Sequence, residues 1–153
     1  MIELHPDFKD FLRLCESHGV SCLIVGGYAV GFHGYPRATG DLDIFVDRSA
    51  DNANRLVEVF HEFGFGDEVQ SSLFLEPESI VRIGFPPVRL EVFCDISGVT
   101  FEQCVRNAVP TSIDGITVRF IGREELLLNK RASGRPKDLV DHAALSQGDP
   151  ASP

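Results

Sequence analysis

Leu23 to Val46 reads LIVGGYAVGFHGYPRATGDLDIFV, and this stretch decides the fold. An apolar run ends in Gly26-Gly27, a short helical segment follows, a Gly-Tyr-Pro turn leads out of it, and a second apolar run opens with Asp41 and Asp43. Side chains on a strand alternate between faces, so Asp41 and Asp43 project together while Leu42, Ile44 and Val46 point the other way, toward a core. Two carboxylates on one face raise each other's pKa unless a cation sits between them. A glycine pair after a strand lets backbone N–H groups approach a phosphate. Metal and phosphate side by side point to chemistry on a nucleotide.

Outward from this stretch the pattern is α+β, a small mixed β-sheet with helices packed on it. Phe8, Phe11, Leu12 and Cys15 recur at helical spacing before Gly19. Ser21 to Val25 and Leu42 to Val46 are strands around a short helix over Tyr28 to Phe32. Ser49 or Asp51 caps a helix with Ala53, Leu56, Val57 and Phe60 on its apolar stripe, ended by Gly64 and Gly66. Leu73 to Leu75, Val81 to Phe85 and Val88 to Ile96 read as strands, with Pro86-Pro87 separating the last two. Thr100 and Gln103 form a capping box, and Asp114-Gly115 turns a hairpin between Ser112-Ile113 and Ile116 to Ile121. Glu124 to Arg131 and Lys137 to Leu145 are two helices split by Ser133, Gly134 and Pro136. The expected organisation is one domain over residues 1–146 and a flexible tail over 147–153.

The composition narrows the function. With 153 residues and 43% hydrophobic residues, one ordinary core is expected. No run reaches the roughly 18 apolar residues of a membrane span. The N-terminus lacks the basic and apolar regions of a secretory signal. Cys15, Cys22, Cys94 and Cys104 show no C-x-x-C spacing, which suits reduced thiols and a cytoplasmic protein. A formal net charge of -9 argues against broad charge-driven nucleic-acid binding. Yet Arg123, Lys130, Arg131, Arg135 and Lys137 are five of the 14 basic residues and fall in one short segment. That segment is either a solvated helix face or a cationic wall for a polyphosphate.

A third acid completes the constellation. In Arg89-Leu90-Glu91-Val92-Phe93, Leu90 and Val92 share one face and Arg89, Glu91 and Phe93 the other. If this strand lies beside Leu42 to Val46, Glu91 faces Asp41 and Asp43. Three carboxylates suit Mg²⁺ or Mn²⁺, hard cations that prefer oxygen. Asp95 shares the parity of Glu91 and is its rival, nearer the strand end, where it could instead start a turn.

The ordered pattern resembles a minimal nucleotidyltransferase of the polymerase-β-like superfamily. It is similar in particular to small stand-alone proteins related to the abortive-infection toxin nucleotidyltransferases. The likeness is carried by Gly26 and Gly27, by the Arg37-x-Thr39-x-Asp41-x-Asp43 element, by Glu91, and by the late segment Asn129 to Asp138 followed by Asp141. It spans about Ser21 to Leu145.

The resemblance implies transfer of a nucleoside monophosphate from an NTP such as ATP to an acceptor hydroxyl, with pyrophosphate leaving. It implies Asp41, Asp43 and Glu91 as catalytic and metal-binding residues. It assigns the nucleotide to Gly26, Gly27, Arg37, Thr39, Lys130, Arg135 and Lys137. The acceptor stays open among a tRNA end, a protein hydroxyl and a small molecule. Many relatives carry Gly-Ser where this chain has Gly26-Gly27, and Asp where it has Glu91. No second domain is evident, which leaves room for a surface lent by a partner protein or a second copy. The rival expectation is a catalytically silent binding module, antitoxin-like or regulatory. A metal-dependent phosphoesterase is a third, without the histidine cluster such enzymes often use.

Overall fold

The computed structural model describes residues 3–147. Helix α1 (Pro6–Ser17) starts with proline in its first turn and buries Phe8, Phe11, Leu12 and Cys15 on one stripe. Strand β1 (Cys22–Val25) runs directly into α2 (Gly26–Phe32), and a loop leads to β2 (Asp41–Val46). Helix α3 (Ala50–Phe60) is capped by Ser49, whose side chain accepts from the Asn52 N–H. Buried Asn52 then accepts from Ser21 N–H at 2.7 Å and donates to Ser21 O and Asp47 O. One amide thereby ties the start of β1 and the end of β2 to α3.

Strands β3 (Ile80–Ile83) and β4 (Arg89–Phe93) form a hairpin. Helix α4 (Phe101–Arg106) carries the expected capping box of Thr100 and Gln103. Strands β5 (Val109–Ile113) and β6 (Ile116–Phe120) pair around Asp114 and Gly115, both at positive φ, as an Asp-Gly turn requires. Helices α5 (Arg123–Ser133) and α6 (Pro136–Gln147) are separated by Gly134 in the left-handed region.

The six strands make one mixed sheet in the order β3-β4-β2-β1-β6-β5. Strands β1 and β2 are antiparallel, while β2–β4 and β1–β6 are parallel. The expected α+β class with a small mixed sheet is what the chain adopts. On one face, Leu42 and Leu90 are cross-strand partners, and Leu90 lines one cavity together with Phe8, Phe11 and Phe63. Fully buried Phe11 packs against Phe60 at 5.3 Å, worth roughly 2–3 kcal/mol by burial of such a ring. On the other face Phe45 meets Phe101 at 5.2 Å. Phe32 stacks on Phe120 at 4.2 Å.

Two expectations are corrected. Leu73 to Leu75 is not a strand: Ser71–Phe74 is a 3₁₀ turn. Its backbone is satisfied locally, Leu73 N–H to Gln70 O and Leu75 N–H to Ser72 O, while Phe74 anchors it by stacking on Phe60 at 5.7 Å. Strand β4 ends at Phe93 rather than Ile96, because the chain folds back through an Ile96–Val99 bridge around Gly98, at φ 82°. Of the tail expected over 147–153, Gln147 is the last residue of α6 and the rest lies outside the described residues.

Candidate active site

The parallel register of β2 and β4 sets Asp43 opposite Glu91 and Asp41 opposite Arg89. Carboxylate oxygens of Asp41, Asp43 and Glu91 consequently lie within 4.8 Å of one another. Two unit negative charges at that distance repel by about 3–4 kcal/mol at an effective dielectric of about 20. Burial, then Glu91, then Asp41 push the Asp43 carboxyl up to about 7, against the opposing pull of Lys130 and Lys137. Asp43 Oδ1 is buried and has no hydrogen-bond partner. Three convergent carboxylates, one with an orphaned buried oxygen, fit a hard divalent cation such as Mg²⁺ or Mn²⁺. Asp95 lies past the end of β4, exposed and outside the cluster.

A residue not singled out in the sequence enters the cluster. Arg89 Nε donates to Asp41 Oδ1 at 2.6 Å, and its Nη2 lies 3.1 Å from Asp41 Oδ2 and from Glu91 Oε1. Arg82 on the neighbouring strand approaches Glu91 at 3.6 Å. Parity along β4 places Arg89 on the Glu91 face, so the signal was present in the alternation of the sequence.

The glycine pair is explained by close approach. Gly26 has φ 67°, and a Cβ there would sit 2.1 Å from Asp43 Oδ2. A Cβ on Gly27 would sit 2.7 Å from Thr39 Oγ1. The backbone of the β1–α2 turn is therefore pressed against the carboxylate and against Thr39. Thr39 Oγ1 in turn donates to Asp41 O at 3.2 Å, holding the entry to β2.

A cleft of about 470 Å³ reaches the cluster at Asp43. Gly26 and Asp43 line one side, Phe93, Asp95 and Ile96 another, and Asn129, Lys130, Ser133 and Arg135 close it from α5 and the following turn. The basic segment resolves into distinct fates. Lys130 is buried, with Nζ 3.0 Å from Asp138 Oδ1 and 3.1 Å from Asp141 Oδ2. Arg37, which the resemblance assigned to the nucleotide, grips Asp141 through two bonds of 2.9 and 2.8 Å. Arg135 is exposed and bonds Asp138 at 2.8 Å, and Ser133 donates to the same carboxylate. Burial alone would raise the Asp138 pKa; the bonds from Ser133, Lys130 and Arg135 outweigh it and hold it at about 2. Asp141 is likewise held low against its burial, by Arg37 and Lys130. Lys137 and Arg131 lie on the exposed surface.

His33 and Tyr28 near the glycine turn have structural duties. His33 Nε2 bonds Ile121 O at 2.7 Å, and Tyr28 packs edge-on against Phe8. All four cysteines are free. No helix among the described residues is long and apolar enough to cross a membrane.

Residues 6–146 match a family described as "Nucleotidyl transferase of unknown function (DUF2204)". Among solved structures, the chain is similar to an antigenic nucleotidyltransferase-like protein from Paracoccidioides brasiliensis. The identity is 18% and the TM-score 0.53, with 91% of this chain and 74% of that chain covered. That likeness is one of fold. No curated protein sequence matches the chain.

Proposed function

The chain belongs to this nucleotidyl transferase family, and from that premise we propose that it moves a nucleoside monophosphate from an NTP to an acceptor hydroxyl, releasing pyrophosphate. The carrying observation is the convergence of Asp41, Asp43 and Glu91 within 4.8 Å beside a cleft large enough for a nucleotide. Asp41, Asp43 and Glu91 would hold Mg²⁺ or Mn²⁺, which supplies charge neutralisation for the polyphosphate and Lewis acidity at the reacting hydroxyl. Glu91, 7% exposed and opposite Asp43, would orient that hydroxyl or take its proton. Gly26 lines the cleft beside Asp43, so backbone N–H groups of the Gly26-Gly27 turn, rather than space left by the missing side chains, would meet phosphate oxygens. Lys130 lines the cleft with two acids on its ammonium, so its third donor is the one it can offer a phosphate. Arg135, on the cleft rim, adds charge, as Lys137 does at longer range through the field felt by Asp43. Arg37 and Thr39 act indirectly, by fixing α6 and the start of β2.

ATP as donor, kinship with abortive-infection toxins and a cytoplasmic setting belong to the same proposal. They rest on the sequence pattern and on the free thiols. The acceptor remains among a tRNA end, a protein hydroxyl and a small molecule, taken directly or on a partner protein or second copy.

One observation favours a second reading. Arg89 already neutralises Asp41 and Glu91, as it would in a silent binding module that had given up metal chemistry. The two readings separate on incubation with α-labelled NTPs, Mg²⁺ or Mn²⁺, and cell extract. Metal-dependent labelling that is lost in the double variant Asp41→Asn/Asp43→Asn supports the transferase. NTP binding without metal dependence, unchanged by Asp43→Ala and without any labelled product, supports the module.

A further inference from the structure

The three acids are not treated alike by their surroundings. Arg89 Nε and Nη2 bridge Asp41 at 2.6 and 3.1 Å, and Nη2 reaches Glu91 Oε1 at 3.1 Å. Arg82 adds a weaker contact to Glu91 at 3.6 Å. Asp43 receives no arginine, and its Oδ1 is buried without a partner. A monovalent, planar guanidinium thus covers Asp41 and Glu91 and leaves bare Asp43, the one acid of the three that lines the cleft. A divalent ion held by the same oxygens at about 2.0–2.1 Å would put a double positive charge against that guanidinium. The carboxylates cannot serve both cations at full strength, since like charges a few ångströms apart repel.

We propose that Arg89 is the resident counter-ion of the three-acid site, displaced from Asp41 and Glu91 when the divalent ion binds. Arg89 is then a positioning residue: it keeps the acids converged while the ion is away and sets the threshold concentration at which the ion enters. This inference rests on the metal-binding part of the function proposed above. Arg89 begins β4, while the cleft lies toward the strand's other end, at Phe93 and Asp95. Its guanidinium can therefore swing away without crossing the space assigned to the nucleotide.

The test is Mn²⁺ titration by calorimetry on the full chain and on Arg89→Gln, Arg89→Lys and Asp43→Asn, with melting temperatures measured without metal. Arg89→Gln should bind Mn²⁺ about tenfold more tightly or better, yet melt lower when ion-free. Arg89→Lys, which keeps the charge but loses the fork, should fall between. Asp43→Asn should abolish binding. Wild-type binding that is unchanged or weakened by Arg89→Gln overturns the proposal, because Arg89 would then assist the ion rather than compete with it. Binding by neither protein overturns the metal reading itself, and this inference with it. Should Arg89→Gln not fold, the wild type still decides. Hydrogen exchange at the Arg89 Nε–H, followed by NMR, should accelerate on adding Mg²⁺, and unchanged protection in the ion-bound protein refutes displacement.

Discussion

Replacing Lys130 by methionine tests the buried charge network behind the site. Lys130, Asp138 and Asp141 are 5%, 2% and 1% exposed, and the ammonium lies 3.0 and 3.1 Å from the two carboxylates. Removing one member of such a buried pair ordinarily costs about 3–5 kcal/mol, because the remaining charge is stranded. Here neither acid is left bare. Asp138 keeps Ser133 and Arg135, and Asp141 keeps the two bonds from Arg37. Methionine also preserves most of the apolar stem. The expected loss is therefore at the low end, about 3 kcal/mol, or about 6–12 °C in melting temperature for a domain of this size. Urea unfolding followed by circular dichroism measures it. A double-mutant cycle with Asp138→Asn should show a coupling of at least about 1 kcal/mol. A loss below about 1 kcal/mol with no coupling would mean that Lys130 is solvated and unpaired, and the α5–α6 network would have to be redrawn.

Three further outcomes are expected. Asp43 titrates near 7 in the folded protein against an ordinary 3.8, so ion-free stability should fall as pH rises from about 4 to 7. Asp43→Asn should flatten that slope, and a slope unchanged in equilibrium unfolding would show that Asp43 is not raised. Asp138 is held at about 2, so it contributes stability above pH 4 that is lost as pH falls toward 2. Acid unfolding of Asp138→Asn should accordingly be shallower than that of wild type in this window. Gly26→Ala combines an unfavourable φ of 67° with a Cβ 2.1 Å from Asp43 Oδ2. It should cost about 2–4 kcal/mol, partly recovered by Asp43→Ala in the same chain, and an alanine tolerated at no measurable cost in thermal unfolding would contradict the close approach.

What the sequence disclosed was mostly local. The strand–Gly-Gly–helix–strand order, the Asp41/Asp43 face, the Thr100 capping box and the Asp114-Gly115 hairpin each depend on residues a few positions apart, and each is present. The side on which Glu91 lies followed from parity, but its meeting with Asp43 needed β4 to lie beside β2, which only the assembled sheet decides. Ion-pair partners were least legible. Arg37 selects Asp141, 104 residues away, over the nearer Asp41 and Asp47, because α6 is carried against the loop before β2. The basic run divides in the same way: Lys130 turns inward on the face of α5 that meets α6, while Arg131 faces solvent. Leu73 to Leu75 misled because three apolar residues without a sheet partner can satisfy their backbone in a tight turn and bury one ring.

In the working protein the three acids should gather a divalent ion next to a nucleotide. Crystals grown with Mn²⁺ and a non-hydrolysable NTP, measured at a wavelength where manganese scatters anomalously, address that directly. The predicted result is an anomalous peak ligated by Asp41 and Asp43, with Glu91 at its edge, the triphosphate passing Gly26, and Arg89 withdrawn. Density showing the nucleotide bound elsewhere, with no peak between the carboxylates and Arg89 still bridging Asp41 and Glu91, would contradict it.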